Sequence, residues 1–229
     1  MSNISFLYRV RIWDLPTRVF HIALALSVAG LVVTGEVGAS ALQIHFLLGY
    51  FVLVLVLFRL IWGVFGGHWS RFANFVPSPS KLYAYIQALR AKQAADHIGH
   101  NPLGALSVIA MLSILLLQVL SGLMSDDDIS NSGPWSALVP SDWVTLATQY
   151  HGDIGKVLLI ILVTLHVATV LYYKLVKKQD LITPMINGDK VLPTQMPDSR
   201  DTLTSRLFAL SILAGCFYAV YRLVSLGSH

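Results

Sequence analysis

Cysteine and charged residues are scarce in this chain of 229 residues. The single cysteine, Cys216, excludes an internal disulfide and an iron–sulfur cluster held by several thiolates of the chain. Only 12% of the residues are charged, whereas 55% are hydrophobic, and the mean hydropathy is +0.65. This composition excludes an ordinary soluble domain and predicts an integral membrane protein.

The net charge of +4 is compatible with nucleic-acid binding, but the charges lie in short segments between long apolar runs. Basic residues in that position set the orientation of membrane helices, so no nucleic-acid partner is predicted and membrane lipid is the expected surrounding. The segment Ala39-Ser40-Ala41, after the first run, resembles a signal-peptidase site. The polar lead of eighteen residues is long for a signal peptide, so we expect this run to be retained as a helix.

Five apolar segments approach or reach the roughly 20 residues that a helix needs to cross the hydrocarbon core. They are Val19 to Gly35, Ile44 to Phe65, Leu103 to Met124, Val144 to Val176 and Leu203 to Leu226. These runs are continuous and lack the alternation of a lipid-facing strand, which predicts an all-α integral membrane fold. The first run is the shortest, and its helix is expected to begin upstream, near Trp13.

The basic residues predict the orientation of these helices. With the amino terminus in the cytoplasm, 14 of the 16 Lys and Arg residues lie at or beyond cytoplasmic helix ends, the exceptions being Lys156 and Arg222. The opposite loops carry Glu36, Asp142 and the acidic run 126–128. The chain is therefore predicted to be a multi-pass protein of a bacterial inner (plasma) membrane, with its carboxyl terminus in the periplasm.

Two segments outside the apolar runs carry further information. Lys81 to Lys92 has its apolar residues on one face and predicts a short interfacial helix capped by Ser80. Asp180 to Thr202 is polar and contains three prolines, which separates the last apolar run from the others. We therefore predict a four-helix domain over residues 8–190, followed over residues 191–229 by a linker and a fifth, peripheral transmembrane helix.

Histidine is costly inside a membrane helix unless its ring has a partner. Here His21 begins the first helix on the cytoplasmic side, and His45 begins the second on the periplasmic side. The fourth run carries both His151 and His166, which a regular α-helix would separate by roughly 22 Å along its axis and about 60° around it. His151 is then level with His45, and His166 is level with His21.

These two pairs predict two b-type haems, each with a six-coordinate iron held by two histidines, in a four-helix transmembrane haem bundle. Binding must be non-covalent, because covalent attachment through C-x-x-C-H needs two cysteines. Both axial positions are filled, which favours electron transfer, and no catalytic residue is assigned. The alternative is four unrelated polar residues bonded to nearby carbonyls, against which their agreement in depth argues. A single metal site is excluded because the two levels lie far apart.

A few other residues are candidates for haem contact. Arg18 and Arg59, near the cytoplasmic level, and Lys156, near the periplasmic level, are predicted to bind haem propionates. Snorkelling to the interface explains the arginines equally well. Gly49 offers space for a flat macrocycle, or serves plain helix packing. Met111 and Gln118, on the third helix, are alternative ligands or polar contacts, but methionine more often fills gaps there, and that helix is expected to form the wall of the site rather than to supply iron ligands.

Five stretches of the chain, taken together, are typical of one known protein family. They are VRIWDLPTRVFH (Val10 to His21), IHFLLGYFVLVLVLFRLIWG (Ile44 to Gly63), GHNPLGALSV (Gly99 to Val108), HGDIGKVLLIILVTLHV (His151 to Val167) and PMINGDK (Pro184 to Lys190). Over about residues 8 to 190 the chain resembles the bacterial cytochrome b-561 group, which includes the cytochrome b subunits of membrane-bound nickel-iron hydrogenases. The fifth apolar run departs from the minimal four-helix pattern of that group.

The resemblance implies that His21, His45, His151 and His166 ligate two haems b, the fourth helix giving one ligand to each. It also implies electron exchange between the quinone pool and a periplasmic partner, with a quinone site near one haem. The predicted function is therefore an electron-transfer subunit of a respiratory chain, with a hydrogenase-like subunit or a c-type cytochrome as its partner.

Two other functions stay open at this point. One is a stand-alone superoxide:quinone oxidoreductase acting at the periplasmic haem edge, which kinetics with purified protein and quinone would reveal. The other is a non-redox transporter or scaffold that uses the histidines for protons or packing. A reduced-minus-oxidised b-type spectrum would exclude that second possibility.

Overall fold

The computed structural model describes residues 7–93, 97–127 and 131–227. In chain order its strands and helices are β1 (Tyr8–Arg11), α1 (Leu15–Val37), α2 (Leu42–Phe65), α3 (Phe72–Phe75), α4 (Pro79–Arg90), α5 (Pro102–Met124), α6 (Ser141–Gln149), α7 (Lys156–Leu175), α8 (Ile182–Asn187), β2 (Asp189–Leu192) and α9 (Leu203–Ser225). Five helices among the described residues are long and apolar enough to cross a membrane, namely α1, α2, α5, the continuous α6–α7 and α9. The predicted all-α membrane fold is confirmed, and α1 begins near Trp13 as expected.

The fourth membrane helix is not regular. A π turn, Tyr150–Gly155, joins α6 to α7. A π turn is wider than an α turn and bonds each carbonyl to the amide five residues on. The spacing of roughly 22 Å and 60° between His151 and His166, which assumes a regular α-helix, therefore does not describe this helix.

A short helix is present in this segment as α4, but its predicted cap is wrong. Ser78, not Ser80, is the N-cap, and its Oγ accepts a hydrogen bond from the backbone N–H of Lys81 at 3.4 Å. Pro79 occupies the first position of the helix, where its fixed φ and missing N–H are tolerated. The cap therefore falls on the residue before the proline.

The described residues form two compact units, each assembled from separate stretches of the chain. The first takes the described parts of Met1–Val19, Leu60–Ile109 and His166–Ala209, and the second those of Phe20–Arg59, Ala110–Leu165 and Leu210–His229. The predicted division after residue 190 falls inside β2.

In the first unit, β1 pairs with β2 in an antiparallel two-stranded sheet that the sequence did not predict. Tyr8 lies opposite Leu192, and Arg11 lies opposite Asp189. Buried Val10, Ile12, Trp13 and Leu192 form a small hydrophobic core beside this sheet. The polar linker is thereby fixed to the start of the chain.

Asp14 is the centre of the buried polar structure in the first unit and is 0% exposed. Its Oδ1 accepts hydrogen bonds from the Thr17 amide at 2.8 Å and from Trp62 Nε1 at 3.1 Å. Its Oδ2 accepts from the Gly67 amide at 2.9 Å and from Ser70 Oγ at 3.0 Å. A Cβ on Gly67 would lie 2.4 Å from Oδ2, so the loop after α2 needs glycine for this approach. The carboxylate thus caps α1 and joins it to the end of α2.

An ion-pair network lies beside this cluster. Arg11 pairs with both Asp189 and Asp201, Arg9 also binds Asp189, and Arg206 Nε lies 2.9 Å from Asp201 Oδ1. Burial alone would raise the pKa of each carboxyl, but the hydrogen bonds from these arginines outweigh burial and hold both pKa values below the ordinary range. Both carboxylates therefore stay ionised at neutral pH and tie β1 to the segment before α9.

In the second unit, the consecutive α2 residues 52–56 are all buried. Helix α9 packs against α2 through Phe51 and Phe217, whose ring centroids are 6.0 Å apart. Trp135 Nε1 donates to the carbonyl of Leu223 at 2.8 Å, which attaches the end of α9 to the loop after α5. The part of α9 from Leu210 onward is therefore packed within this unit.

Asp14→Ala should destabilise the protein strongly, because it leaves buried donors without an acceptor at a fully buried position. We expect a loss of about 3 kcal/mol or more, observed as a lower midpoint of thermal unfolding in detergent. The matched control is Asp142→Ala, which removes an exposed carboxylate. Equal midpoints for the two variants would contradict the role assigned to Asp14.

Candidate cofactor site

The second unit brings together two of the four predicted histidines, His45 on α2 and His151 in the π turn. Their ring centroids lie 6.1 Å apart, and the ring planes are inclined at 82°. Both residues are partly buried. The residues that contact these rings come from α1 and α5, so four membrane helices meet at this point.

The proton position on His151 follows from its hydrogen bonds. His151 Nδ1 lies 2.8 Å from the backbone carbonyl oxygen of Gln118 on α5. A carbonyl only accepts, so Nδ1 carries the proton, and in the neutral ring Nε2 carries the lone pair. Ser121 Oγ donates to the same carbonyl at 2.9 Å. The ring is thus held in the tautomer that a metal ligand requires.

His45 reaches the same state by a different contact. Its Nδ1 lies 3.1 Å from Thr34 Oγ1 on α1. The Thr34 hydroxyl donates its only proton to the carbonyl of Gly30, one helical turn earlier, at 2.8 Å. With that proton engaged, the hydroxyl acts as an acceptor for His45, whose ring also bonds to the backbone of Leu31; a proton on Nδ1 leaves Nε2 as the ligating atom. A hydrogen bond from the second ring nitrogen to a neighbouring acceptor is the usual support of a metal-bound histidine.

The spacing of the two rings also fits one iron between them. An iron bound to both Nε2 atoms at about 2 Å would place the ring centroids roughly 6.3 Å apart, close to the observed separation. An ordinary edge-to-face ring pair spans a similar range. The tautomers of the two rings are therefore stronger evidence for a metal site than the distance between the ring centroids. Both Nδ1 atoms are occupied by hydrogen bonds, and both Nε2 atoms remain for a metal.

Glycines provide space around this pair. A Cβ on Gly122 would lie 2.8 Å from Cε1 of His151, so a side chain at that position would displace the ring. Cβ atoms on Gly49 and Gly152 would meet no atom within 4 Å. Gly49 is partly buried, whereas Gly152 is exposed. Gly122 is therefore the glycine that makes room for the His151 ring.

The predicted propionate partners of the second unit have different environments. Lys156 Nζ forms an ion pair with Glu36 Oε1 at 3.1 Å, in which both side chains are substantially exposed. Such exposed pairs contribute little stability. Arg59 on α2 is 4% exposed, which is unusual for a charged residue of a membrane helix.

The remaining predicted residues are Arg18, His21 and His166. Arg18 Nη1 donates to the carbonyl of Ile186 at 2.6 Å, and its Nη2 lies 3.9 Å from Asp201 Oδ2. His21 is a partly buried residue of α1 in the second unit, and His166 is a partly buried residue of α7 in the first. Their pairing stays a prediction.

A cavity of about 430 Å³ lies in the first unit, between the end of α2 and the start of α9. Its aromatic wall includes Trp62 and Phe208, whose ring centroids are 6.4 Å apart. Its polar side includes Arg200, Thr202 and Ser205. An aromatic wall facing hydroxyl and guanidinium groups suits an amphipathic ring compound.

Sequence reasoning identified the histidines but not their hydrogen-bond acceptors. Thr34 and Gln118 are isolated polar residues in apolar helices, a signal that marks them as sites needing a partner. The backbone carbonyl that holds His151 has no sequence signature. The π turn at His151 was also missed.

The chain is similar to known cytochromes. The model of a family described as prokaryotic cytochrome b561 matches residues 12–188. A probable Ni/Fe-hydrogenase B-type cytochrome subunit of Azotobacter chroococcum mcd 1 is 25% identical, over 82% of this chain and 91% of the relative. Proteins of the same description from Rhizobium leguminosarum bv. viciae and Cupriavidus necator are 22% and 25% identical, over 80% and 77% of this chain and 89% and 85% of the relatives. No solved structure gives a significant match.

Thr34→Val should weaken haem binding at the His45–His151 pair, because it removes the hydroxyl that lies 3.1 Å from Nδ1 of the partly buried His45 ring. We expect a loss of about ten-fold or more in affinity, measured by titrating the haem-free protein with haemin. Thr34→Ser keeps the hydroxyl and should bind as the wild type does. Unchanged haem affinity in Thr34→Val would contradict the role of Thr34 as a hydrogen-bond acceptor for His45.

Proposed function

Because this chain belongs to the prokaryotic cytochrome b561 family, we propose that it carries electrons across a bacterial inner membrane through two haem b groups. In this proposal it connects the quinone pool with a periplasmic redox partner. As a member of the family it is a multi-pass membrane protein and a b-type cytochrome. Its single cysteine agrees with non-covalent haem binding.

The observation that carries the proposal is the His45–His151 pair. Haem b, when bound, supplies a one-electron Fe(III)/Fe(II) couple. The two rings supply two nitrogen ligands, and the hydrogen bonds of Nδ1 hold each ring in the ligating tautomer. A haem held by both histidines would favour electron transfer over reaction at the iron.

A second haem is proposed for His21 and His166. Support comes from the partial burial of both rings and from the basic residues nearby in sequence. Arg59 is the stronger candidate for a propionate, because its guanidinium is buried in a membrane helix, where an anionic group stabilises the charge. Arg18 already donates to a backbone carbonyl and lies near a carboxylate.

The proposed periplasmic partner is a hydrogenase-like subunit or a c-type cytochrome. The relatives described as Ni/Fe-hydrogenase cytochrome subunits support the first kind. Asp126 and Asp127 follow α5 on the predicted periplasmic side, while Asp128 lies outside the described residues. Acidic side chains there would favour a basic surface on the partner. In this orientation the amino terminus is cytoplasmic and the carboxyl terminus periplasmic.

Quinone is proposed to bind in the cavity between the end of α2 and the start of α9. Trp62 and Phe208 offer aromatic faces for a quinone ring, and Thr202 and Ser205 offer hydroxyl groups for its carbonyl oxygens. The cavity belongs to the same compact unit as His166. The site would accordingly exchange electrons with the haem of that histidine.

Single histidine replacements test the ligand assignment. His45→Ala and His151→Ala should each lose the same one of two haems, whereas His166→Ala should lose the other, because each haem needs both of its axial ligands. Haem per chain and separate redox transitions in the reduced-minus-oxidised spectrum measure the result. His68→Ala is the control and should keep both haems. Full retention of both haems in His166→Ala would refute the assignment of His166 as a haem ligand.

Phe208→Ala should slow haem reduction by a soluble quinol analogue, by roughly ten-fold, because it removes an aromatic wall of the proposed quinone cavity. Stopped-flow absorbance of the reduced b-haem band measures the rate. Phe217→Ala is a matched control on the same helix, since the two side chains are 48% and 47% exposed and Phe217 does not line the cavity. Equal rates for both variants would eliminate this cavity as the quinone site.

A further inference from the structure

Gln118 contacts His151 in two ways. Its backbone carbonyl accepts the Nδ1 proton of the ring at 2.8 Å, and its side-chain Nε2 donates to the carbonyl oxygen of His151 at 2.9 Å. One residue of α5 therefore holds both the ring and the backbone of a candidate haem ligand. The first contact sets the tautomer, and the second fixes the position of the peptide to which the ring is attached.

The side-chain contact is made inside the π turn. Such turns are rare and occur mostly as single turns at functional sites. Here the turn lets an amide from another helix bond to the His151 carbonyl, which stabilises a backbone geometry that an α-helix would not adopt. The alignment of the ring with its acceptor depends on that geometry.

Gly155, at the end of the π turn, lies against the side chain of Gln118. A Cβ at this position would lie 1.9 Å from Gln118 Oε1. The amide can approach the turn only because residue 155 is glycine. Gln118 and Gly155 thus form a complementary pair around His151.

The simpler explanation is that Gln118 is a polar residue that found a convenient acceptor. It is the only Asn or Gln residue between Pro102 and Met124, so its burial in this helix needs a partner in any case. However, two of its hydrogen bonds, one from its backbone carbonyl and one from its side-chain amide, converge on one residue, and that residue is a candidate haem ligand. A general packing role does not require this convergence.

We propose that Gln118 is a positioning residue that sets the orientation of His151 and thereby the reduction potential of the haem bound between His45 and His151. This inference rests on the proposed function. A well-aligned Nδ1–H···O bond makes Nε2 a stronger donor, which favours the ferric iron. Removing the side-chain amide releases the His151 backbone and weakens that alignment. The midpoint potential of this haem then rises.

The test compares Gln118→Leu with Gln149→Leu in the purified, haem-loaded protein. Gln149 is an exposed residue two positions before His151, so the control makes the same chemical change without removing the contact with the His151 carbonyl. Optical redox titration and low-temperature EPR of the ferric protein are the readouts. For Gln118→Leu we expect a higher midpoint for one haem, an altered low-spin signal from that haem, and no change in the other. A ten-fold selective weakening of the ferric state corresponds to about 59 mV.

A second variant keeps the test decisive if Gln118→Leu does not assemble. Gly155→Ala keeps the Gln118 and His151 side chains, but its Cβ would lie 1.9 Å from Gln118 Oε1 and 2.8 Å from Tyr150 Cε1, so it displaces the amide and should raise the same midpoint. Its control is Gly215→Ala, where a Cβ would meet no atom within 4 Å. Unchanged midpoints in Gly155→Ala, or equal shifts in a variant and its control, would overturn the inference. A wild-type protein without b-type haem would instead overturn the proposed function.

Discussion

The hydrogen bonds of two imidazole Nδ1 atoms are the constraint on which the candidate site depends. A histidine in a membrane helix must satisfy its polar atoms within the protein, because hydrocarbon offers no partner. His45 does so through the Thr34 hydroxyl, and His151 does so through the carbonyl of Gln118. The acceptor for His45 lies on α1, and the acceptor for His151 lies on α5. Packing of four helices therefore determines which nitrogen of each ring remains for a metal.

The two compact units satisfy their polar groups by different means. In the first, Asp14 collects four hydrogen bonds, and Arg11 connects two carboxylates of the later chain. In the second, the site relies on single hydrogen bonds between helices and on glycines that leave space. Helix α9 takes part in both, through Phe208 in the first unit and Phe217 in the second.

Composition and run length were sufficient to predict the five spanning helices, because the cost of exposing backbone in hydrocarbon leaves few alternatives. The β1–β2 sheet was not predictable, since each strand has four residues and the partners lie about 180 positions apart in the chain. The observed N-cap of α4 lies two residues before the predicted one, because Pro79 takes the first helical position.

The candidate site was also predictable only in part. Four histidines stood out because polar residues are rare in apolar helices. Their acceptors were harder to identify, since one is a backbone carbonyl and the other a threonine that also resembles an ordinary helix residue. The π turn at His151 has no periodicity of its own within so short a segment. Gln118 of α5 lies against this turn and bonds to the carbonyl of His151, a tertiary contact that a local sequence pattern does not show.

The central claim is that His45 and His151 bind one iron, and EPR of the oxidised protein tests it most directly. Their ring planes are inclined at 82°. Nearly perpendicular imidazole planes leave the iron dπ orbitals close in energy, which produces a highly anisotropic low-spin ferric signal. The account predicts such a signal in the wild type and its loss in both His45→Ala and His151→Ala. A signal of high-spin or rhombic low-spin type from this haem, or its survival in either variant, would contradict the account.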